Sequence, residues 1–460
     1  MTTNAASTAA TGAGTTAAAS VSSDAPGTTG SAGSSASRDD AVQIDLPEIP
    51  ADKKVKISFE TYTLSSAGPM ADTLNALLDE FEKAHPNISI DRRGTPVDQL
   101  LATVRREIAA GDPPSVLQAY FYMDLMANHL GAQPWNKLIG DDALAAYVDG
   151  SLNGDHAMNP NAAALGKFNG NTYVLPWVIS TPTLFINKTL FEQAGLDTSK
   201  LPTTWDEVAA AARAIKDKAG ADGVFPQCTG NVSLGWCYDG ILRSAGNVRV
   251  SEDLKTLDFD GPEAVEVAST FQGYVKDGIM PNVSDQDGLE LFLRGKLGMF
   301  LSTSAYTSTI VAAADKNSWQ LDAMGLPAWG DKPVVVVNSG SGLATMATDP
   351  LQQRAAFELV EFLTSDHAFT EITSKIGYLP LRTGIVEEPD MLAPWLAKFP
   401  FVQHNLDQLE HLQPRAYPPG DNAEQITTIW RDAVNKVIFD GADAQSTLSD
   451  AQKRAEALMP

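Results

Sequence analysis

Apolar and polar positions along this chain switch repeatedly between a two-residue and a 3.6-residue period. The run Val55-Lys56-Ile57-Ser58-Phe59 alternates as a half-buried strand does. A polar loop over residues 61–68 follows, and Pro69 stands where a first helical residue belongs. Apolar side chains then recur at Met70, Leu74, Leu77, Leu78 and Phe81, the spacing of one buried helical face. This helix is predicted to stop before Pro86, and Ile88-Ser89-Ile90 opens a second strand. Strand, loop, helix, strand is the unit that builds parallel sheets.

The rhythm continues with a helix over 100–110, stopped by Gly111-Asp112-Pro113-Pro114, and a strand over 116–120. Thr204-Trp205-Asp206-Glu207 is a capping box, predicting a helix to about residue 218. Helices also fit 262–276, 353–363 and 423–439. The fold class is α/β, and 460 residues exceed one compact core, so two lobes are expected.

Charge and composition narrow the function. A formal charge of −24 argues against nucleic acid, because phosphate backbones need a basic face. No stretch approaches 18 consecutive apolar residues, the length of a membrane span. Residues 1–52 are dominated by Ala, Thr, Ser and Gly, and are expected to form a disordered leash ending near Pro47 and Pro50. Such a leash suits a lipoprotein tethered outside the cytoplasm, with its signal segment absent from this sequence. The bland alternative is a polar tail on a cytoplasmic protein. The two cysteines, Cys228 and Cys237, could close a short disulfide loop in an oxidising compartment, or could be two small buried thiols.

Catalytic signals are missing from the sequence. The six histidines have no metal-binding spacing, no GxSxG elbow occurs, and no carboxylates are marked as a pair. Asp285-Gln286-Asp287-Gly288 lacks the alternating oxygens of a calcium loop and reads as a helix cap. No catalytic residue, metal ligand or cofactor is therefore expected.

Four phrases stand in order along the chain. They are Leu78-Asp79-Glu80-Phe81 through Pro86-Asn87-Ile88; Leu175-Pro176-Trp177-Val178-Ile179-Ser180-Thr181-Pro182 through Asn187-Lys188, followed by Leu201-Pro202-Thr203-Thr204-Trp205-Asp206-Glu207; Phe292-Leu293-Arg294-Gly295-Lys296-Leu297-Gly298-Met299; and Gly377-Tyr378-Leu379-Pro380. On these, the chain from about residue 54 onward resembles the family 1 extracellular solute-binding proteins of sugar and glycerol-phosphate ABC importers.

The resemblance implies a two-lobed periplasmic-binding-protein fold of type II, each lobe a mixed sheet flanked by helices, with a hinge between them. It puts the crossings near residues 182, 319 and 346. One lobe would then be 53–181 plus 319–345, and the other 182–318 plus 346–460. The implied function is to capture a sugar or glycerol-phosphate-like solute in the cleft and deliver it to an ABC permease. The protein would act as a monomer that leaves its ligand chemically unchanged. The alternatives are a binding protein feeding a sensor, or a secreted carbohydrate-active enzyme.

A polyhydroxylated ligand needs flat aromatics for its C–H faces and fixed polar groups for its hydroxyls. The loop after the first strand offers Tyr62, Ser65 and Ser66 beside a helix start. Tyr120 ends the third strand, where relatives carry a polar ligand contact. Trp177 and Ser180 stand at the first crossing, which faces the cleft in relatives. Trp236 adjoins Cys237, Ser304 and Tyr306 follow the strand after Gly298, and Ser341 and Gly342 belong to a small Ser-Gly run with accessible N–H groups. Tyr378 lies in the Gly-Tyr-Leu-Pro phrase. Arg415, in the proline-bounded loop Gln413-Pro414-Arg415-Ala416-Tyr417, matches an arginine of the glycerol-phosphate branch and could hold a phosphate in fork geometry.

Overall fold

The computed structural model describes residues 42–66, 68–230 and 236–460. Nine strands form two sheets: β1 (Val55–Thr61), β2 (Ile88–Gly94), β3 (Val116–Ala119), β4 (Leu175–Ser180), β5 (Pro182–Asn187), β6 (Asp222–Pro226), β7 (Leu297–Thr303), β8 (Leu321–Met324) and β9 (Ser339–Thr345). The first sheet runs β2-β1-β3-β9-β4 and the second β8-β5-β7-β6. β1 is parallel to β2 and β3, whereas β9 runs antiparallel to β3 and β4. In the second sheet β6 and β7 are parallel and β5 is antiparallel to both its neighbours. Both sheets are thus mixed, and helices cover them as the α/β reading requires.

The helices form where the pattern places them. Pro69–Ala84 buries Leu74, Leu77, Leu78 and Phe81 on one face. Thr204 and Glu207 make the reciprocal capping box at the start of Trp205–Ala214. Ser284 caps Asp285–Leu293 by accepting the Asp287 N–H, so the acidic run is the first turn of that helix.

Each sheet carries its own hydrophobic core. The first includes Phe59, Phe81, Trp135, Trp177 and Phe357, and the second Phe185, Phe225, Phe271, Phe300 and Trp430. The expected lobe boundaries differ from these cores at several points. β8 pairs with β5, so residues 321–324 belong to the second sheet. The helices Pro350–Leu363 and Asp366–Lys375, and the chain as far as Leu412, pack on the first core. Apolar side chains of 426–455 return to the second.

The chain therefore passes between cores at 180–182, between 324 and 336, and after Leu412. The last two passages run side by side, because Val336 and Val337 pair in parallel with Leu412 and Gln413. The expected leash is shorter than 1–52: Ile44, Leu46 and Ile49 pack on the first core, and the Asp45 N–H donates to the Ile139 carbonyl. The part of that stretch up to Ala41 lies outside the described residues.

Candidate ligand-binding cleft

A cavity of about 460 Å³ opens among the strand ends of both sheets and the late segment 413–418. Seven residues expected from the sequence line it: Tyr62, Tyr120, Ser180, Trp236, Tyr306, Tyr378 and Arg415. Asn338, Tyr122, Tyr417, Gln227 and Arg431 join them on its walls. Tyr417 stands two residues beyond Arg415 in the same proline-bounded phrase, a signal that was available. Asn338, Gln227 and Arg431 carry no local signature, because only the tertiary fold brings them to the cleft.

One wall is phenolic. The rings of Tyr62 and Tyr120 stack at 5.6 Å with 12° between planes, and Tyr122 stands edge-on to Tyr120 at 6.5 Å. Tyr122 meets Tyr417 at 3.8 Å. Burial pushes the Tyr62 phenol up to about 12 and raises Tyr120, Tyr122 and Tyr378 as well. This wall is neutral at any physiological pH, so it presents ring faces and O–H groups without charge.

The Tyr62 hydroxyl is 2.9 Å from Ser341 Oγ, which also accepts from Gln118 Nε2 at 2.9 Å. The Gln118 amide orientation is fixed because its Oε1 accepts from the Thr63 N–H at 3.2 Å and from Thr63 Oγ1 at 3.0 Å. A backbone N–H can only donate, so Gln118 must turn its NH₂ toward Ser341. Ser341 Oγ keeps its own proton and a further lone pair, so either oxygen of the Ser341–Tyr62 pair can be the donor.

The adjoining wall is charged, joined to the phenols where Tyr417 meets both Tyr122 and Arg415. Asp239, buried, accepts from Arg249 Nε at 3.0 Å and from Arg415 Nε at 3.3 Å. Burial alone would raise the Asp239 carboxyl, but Arg249 and then Arg415 outweigh it and hold it below its ordinary value. Two guanidiniums against one carboxylate leave that cluster one positive charge in excess, and Arg415 brings it to a cavity whose lining also includes Asp98, Glu424 and Arg431. Arg415 is also seated 4.6 Å over the Tyr417 ring, and its backbone N–H donates to Asn338 Oδ1 at 3.0 Å. Cation–π contact and bracing by Asn338 restrict the side chain before any ligand arrives.

Cys228 and Cys237 form a disulfide. It ties together Gln227 and Trp236, which both reach the cavity.

Six expected residues lie elsewhere. Ser65 and Ser66 donate back to the Tyr62 carbonyl at 2.8 and 3.2 Å, closing their own turn. Trp177 is buried in the first core with its ring 6.1 Å from Phe59. Ser304 is buried, its carbonyl taken by Thr307 Oγ1 at 2.6 Å. Ser341 is buried behind Tyr62 and acts on the cavity only through it. Gly342 serves close strand packing, since a Cβ there would collide with the Leu175 carbonyl. At Gly340, which does line the cavity, φ is 95° and a Cβ would strike the Val178 carbonyl, so glycine is required.

The family profile of bacterial extracellular solute-binding proteins matches residues 67–368. The chain is 23% identical over 415 residues to the sn-glycerol-3-phosphate-binding periplasmic protein UgpB of Pectobacterium atrosepticum, covering 86% of this chain and 90% of that one. Among solved structures, UgpB of Mycobacterium tuberculosis in complex with glycerophosphocholine superposes with a TM-score of 0.74 at 21% identity, covering 87% of this chain and 98% of that one. The GacH receptor of Streptomyces glaucescens, solved unliganded and with acarbose, does so with 0.72 at 20% identity, covering 88% and 100%. The two mixed sheets and the match across well over half its length agree: the chain belongs to the bacterial extracellular solute-binding proteins.

Proposed function

We propose that this protein captures a small polyhydroxylated solute of the sugar or glycerophospho class in the cleft and hands it, unaltered, to the permease of an ABC importer. The observation that carries this reading is a neutral tyrosine wall joined to the Arg415 guanidinium around a cavity of about 460 Å³. Stacked phenols suit the C–H faces and hydroxyls of a polyol. Arg415, pre-seated and in excess over Asp239, favours the phosphate-bearing members of the class. The named ligands of the similar proteins, glycerol 3-phosphate, glycerophosphocholine and acarbose, belong to this range.

The protein works outside the cytoplasm as a monomer, held at the membrane by a lipid anchor ahead of its polar N-terminal stretch. Nucleic acid is not a partner, given the net charge of −24. It is not an enzyme. The ligand contacts both walls, and the gain from shared contacts draws them together for recognition by the permease. Small-angle scattering with and without saturating glycerol 3-phosphate or glycerophosphodiester tests this. A smaller radius of gyration is expected on binding, and an unchanged radius with bound ligand would contradict closure.

A further inference from the structure

The segment 413–418 has a second cavity on its other side, of about 580 Å³. Tyr122, Arg415 and Tyr417 line both spaces, so these side chains and the strap that bears two of them form a shared partition. The chemistry changes across that partition. The cleft presents hydroxyl groups, whereas the second compartment is walled mainly by apolar side chains, among them Phe121, Met123, Leu165, Phe168 and Leu254, with Asp124, Lys167 and Glu252 also on its lining. Its polar contribution includes Arg243, which donates to Gln413 Oε1 at 3.2 Å and adds a third guanidinium to the surroundings of Asp239.

One wall residue is held against its own preference. Leu254 has φ of 60°, a left-handed conformation that costs a bulky side chain free energy. The tight turn around it imposes that angle. Leu254 N donates to the Ser251 carbonyl at 2.9 Å, and Ser251 Oγ accepts from the Lys255 and Thr256 N–H groups at 3.1 and 3.0 Å. Glycine would relieve the strain, yet the position carries a leucine, which lines the cavity and also packs against the second core.

We propose that the second compartment is an extension of the ligand site that takes an apolar, aliphatic or aromatic, substituent of a ligand whose anionic group rests on Arg415. The inference builds on the reading of Arg415 as the anion-holding residue. A phosphate ester set at the partition has its oxygens on Arg415 and its organic group free to lie on either side. A polyol finds partners among the tyrosines. A hydrocarbon gains by leaving water for the Phe168–Leu254 side.

Titration calorimetry on the full chain with methyl phosphate, hexyl phosphate and glycerol 3-phosphate tests it. Hexyl phosphate is expected to bind at least about tenfold more tightly than methyl phosphate. Ala164→Trp fills the compartment from an exposed position outside the cleft and should abolish that advantage while leaving glycerol 3-phosphate affinity unchanged. Leu254→Ala should lower the hexyl advantage and leave glycerol 3-phosphate affinity unchanged, a selective change that a leucine serving only the second core would not give.

Equal affinities for the two alkyl esters would overturn the extension while leaving the cleft reading intact. So would a hexyl advantage that persists in Ala164→Trp. Failure of every phosphate ester to bind, with a neutral oligosaccharide binding instead, would remove the anionic role of Arg415 and this extension together.

Discussion

The two walls of the cleft solve the same problem by opposite means. The tyrosine wall is neutral, and its geometry is fixed by uncharged hydrogen bonds running from the Thr63 N–H through Gln118 and Ser341 to Tyr62. The Arg415 wall is ionic, fixed by a buried carboxylate shared between two guanidiniums. Removing one member of the neutral network costs about 1–3 kcal/mol, because a buried donor is left unpaired. An ion cluster loses more, because the survivor is a buried charge without its partner. Orientation on one side is therefore the more tolerant, and charge on the other the more exacting.

The largest expected effect follows from breaking the ionic wall at its centre. Asp239→Ala leaves Arg249 and Arg415 buried side by side, and denaturant unfolding should register a loss of about 3–5 kcal/mol. A loss below about 1 kcal/mol would mean that water reaches the cluster freely.

The same carboxylate has a pH signature. Its folded value lies below that of the unfolded chain, so the pairing contributes fully above the ordinary aspartate range of about 4 and fades as pH falls through the depressed value. Asp239→Asn should flatten that acid limb of the stability profile relative to the parent protein. An identical limb in both would contradict the pairing.

Arg415→Ala probes the contrast through binding. Affinity for glycerol 3-phosphate should fall about 10- to 100-fold, the worth of a charge-assisted bond, with a much smaller change for a neutral saccharide. Equal losses for both ligands would make Arg415 a structural residue. Ser341→Ala is the counterpart on the neutral wall. It should cost about 1–3 kcal/mol of stability, since the buried Gln118 N–H loses its acceptor, and only a few-fold in affinity for either ligand, read by calorimetry.

Much of the fold was legible because local chemistry decides it. Pro262–Lys276 announces itself by its N-terminal proline and apolar period, and Thr204 with Glu207 by their capping pair. Partner choice was not legible. The helix Pro350–Leu363 reads as amphipathic whichever core it covers, and only the tertiary fold places it on the first.

Trp177 was misplaced for a related reason. All six residues of β4 are buried, so the strand lacks the alternation that would tell a core-facing from a cleft-facing side chain. The candidate residues that line the cavity, such as Tyr62, Tyr378 and Arg415, sit in loops or short phrases. Asp239 and Arg249, which set the charge of Arg415, read locally as one acid in a helix and one base after it.

The central claim is that the cleft holds one intact ligand between a phenolic and a guanidinium wall. Titration calorimetry with a glycerophosphodiester, followed by recovery of the ligand, tests it most directly. The account predicts one site per chain, a micromolar dissociation constant (about −8 kcal/mol), and ligand returned chemically unchanged. Absence of binding by glycerophosphodiesters and saccharides alike, or recovery of hydrolysed product, would contradict it.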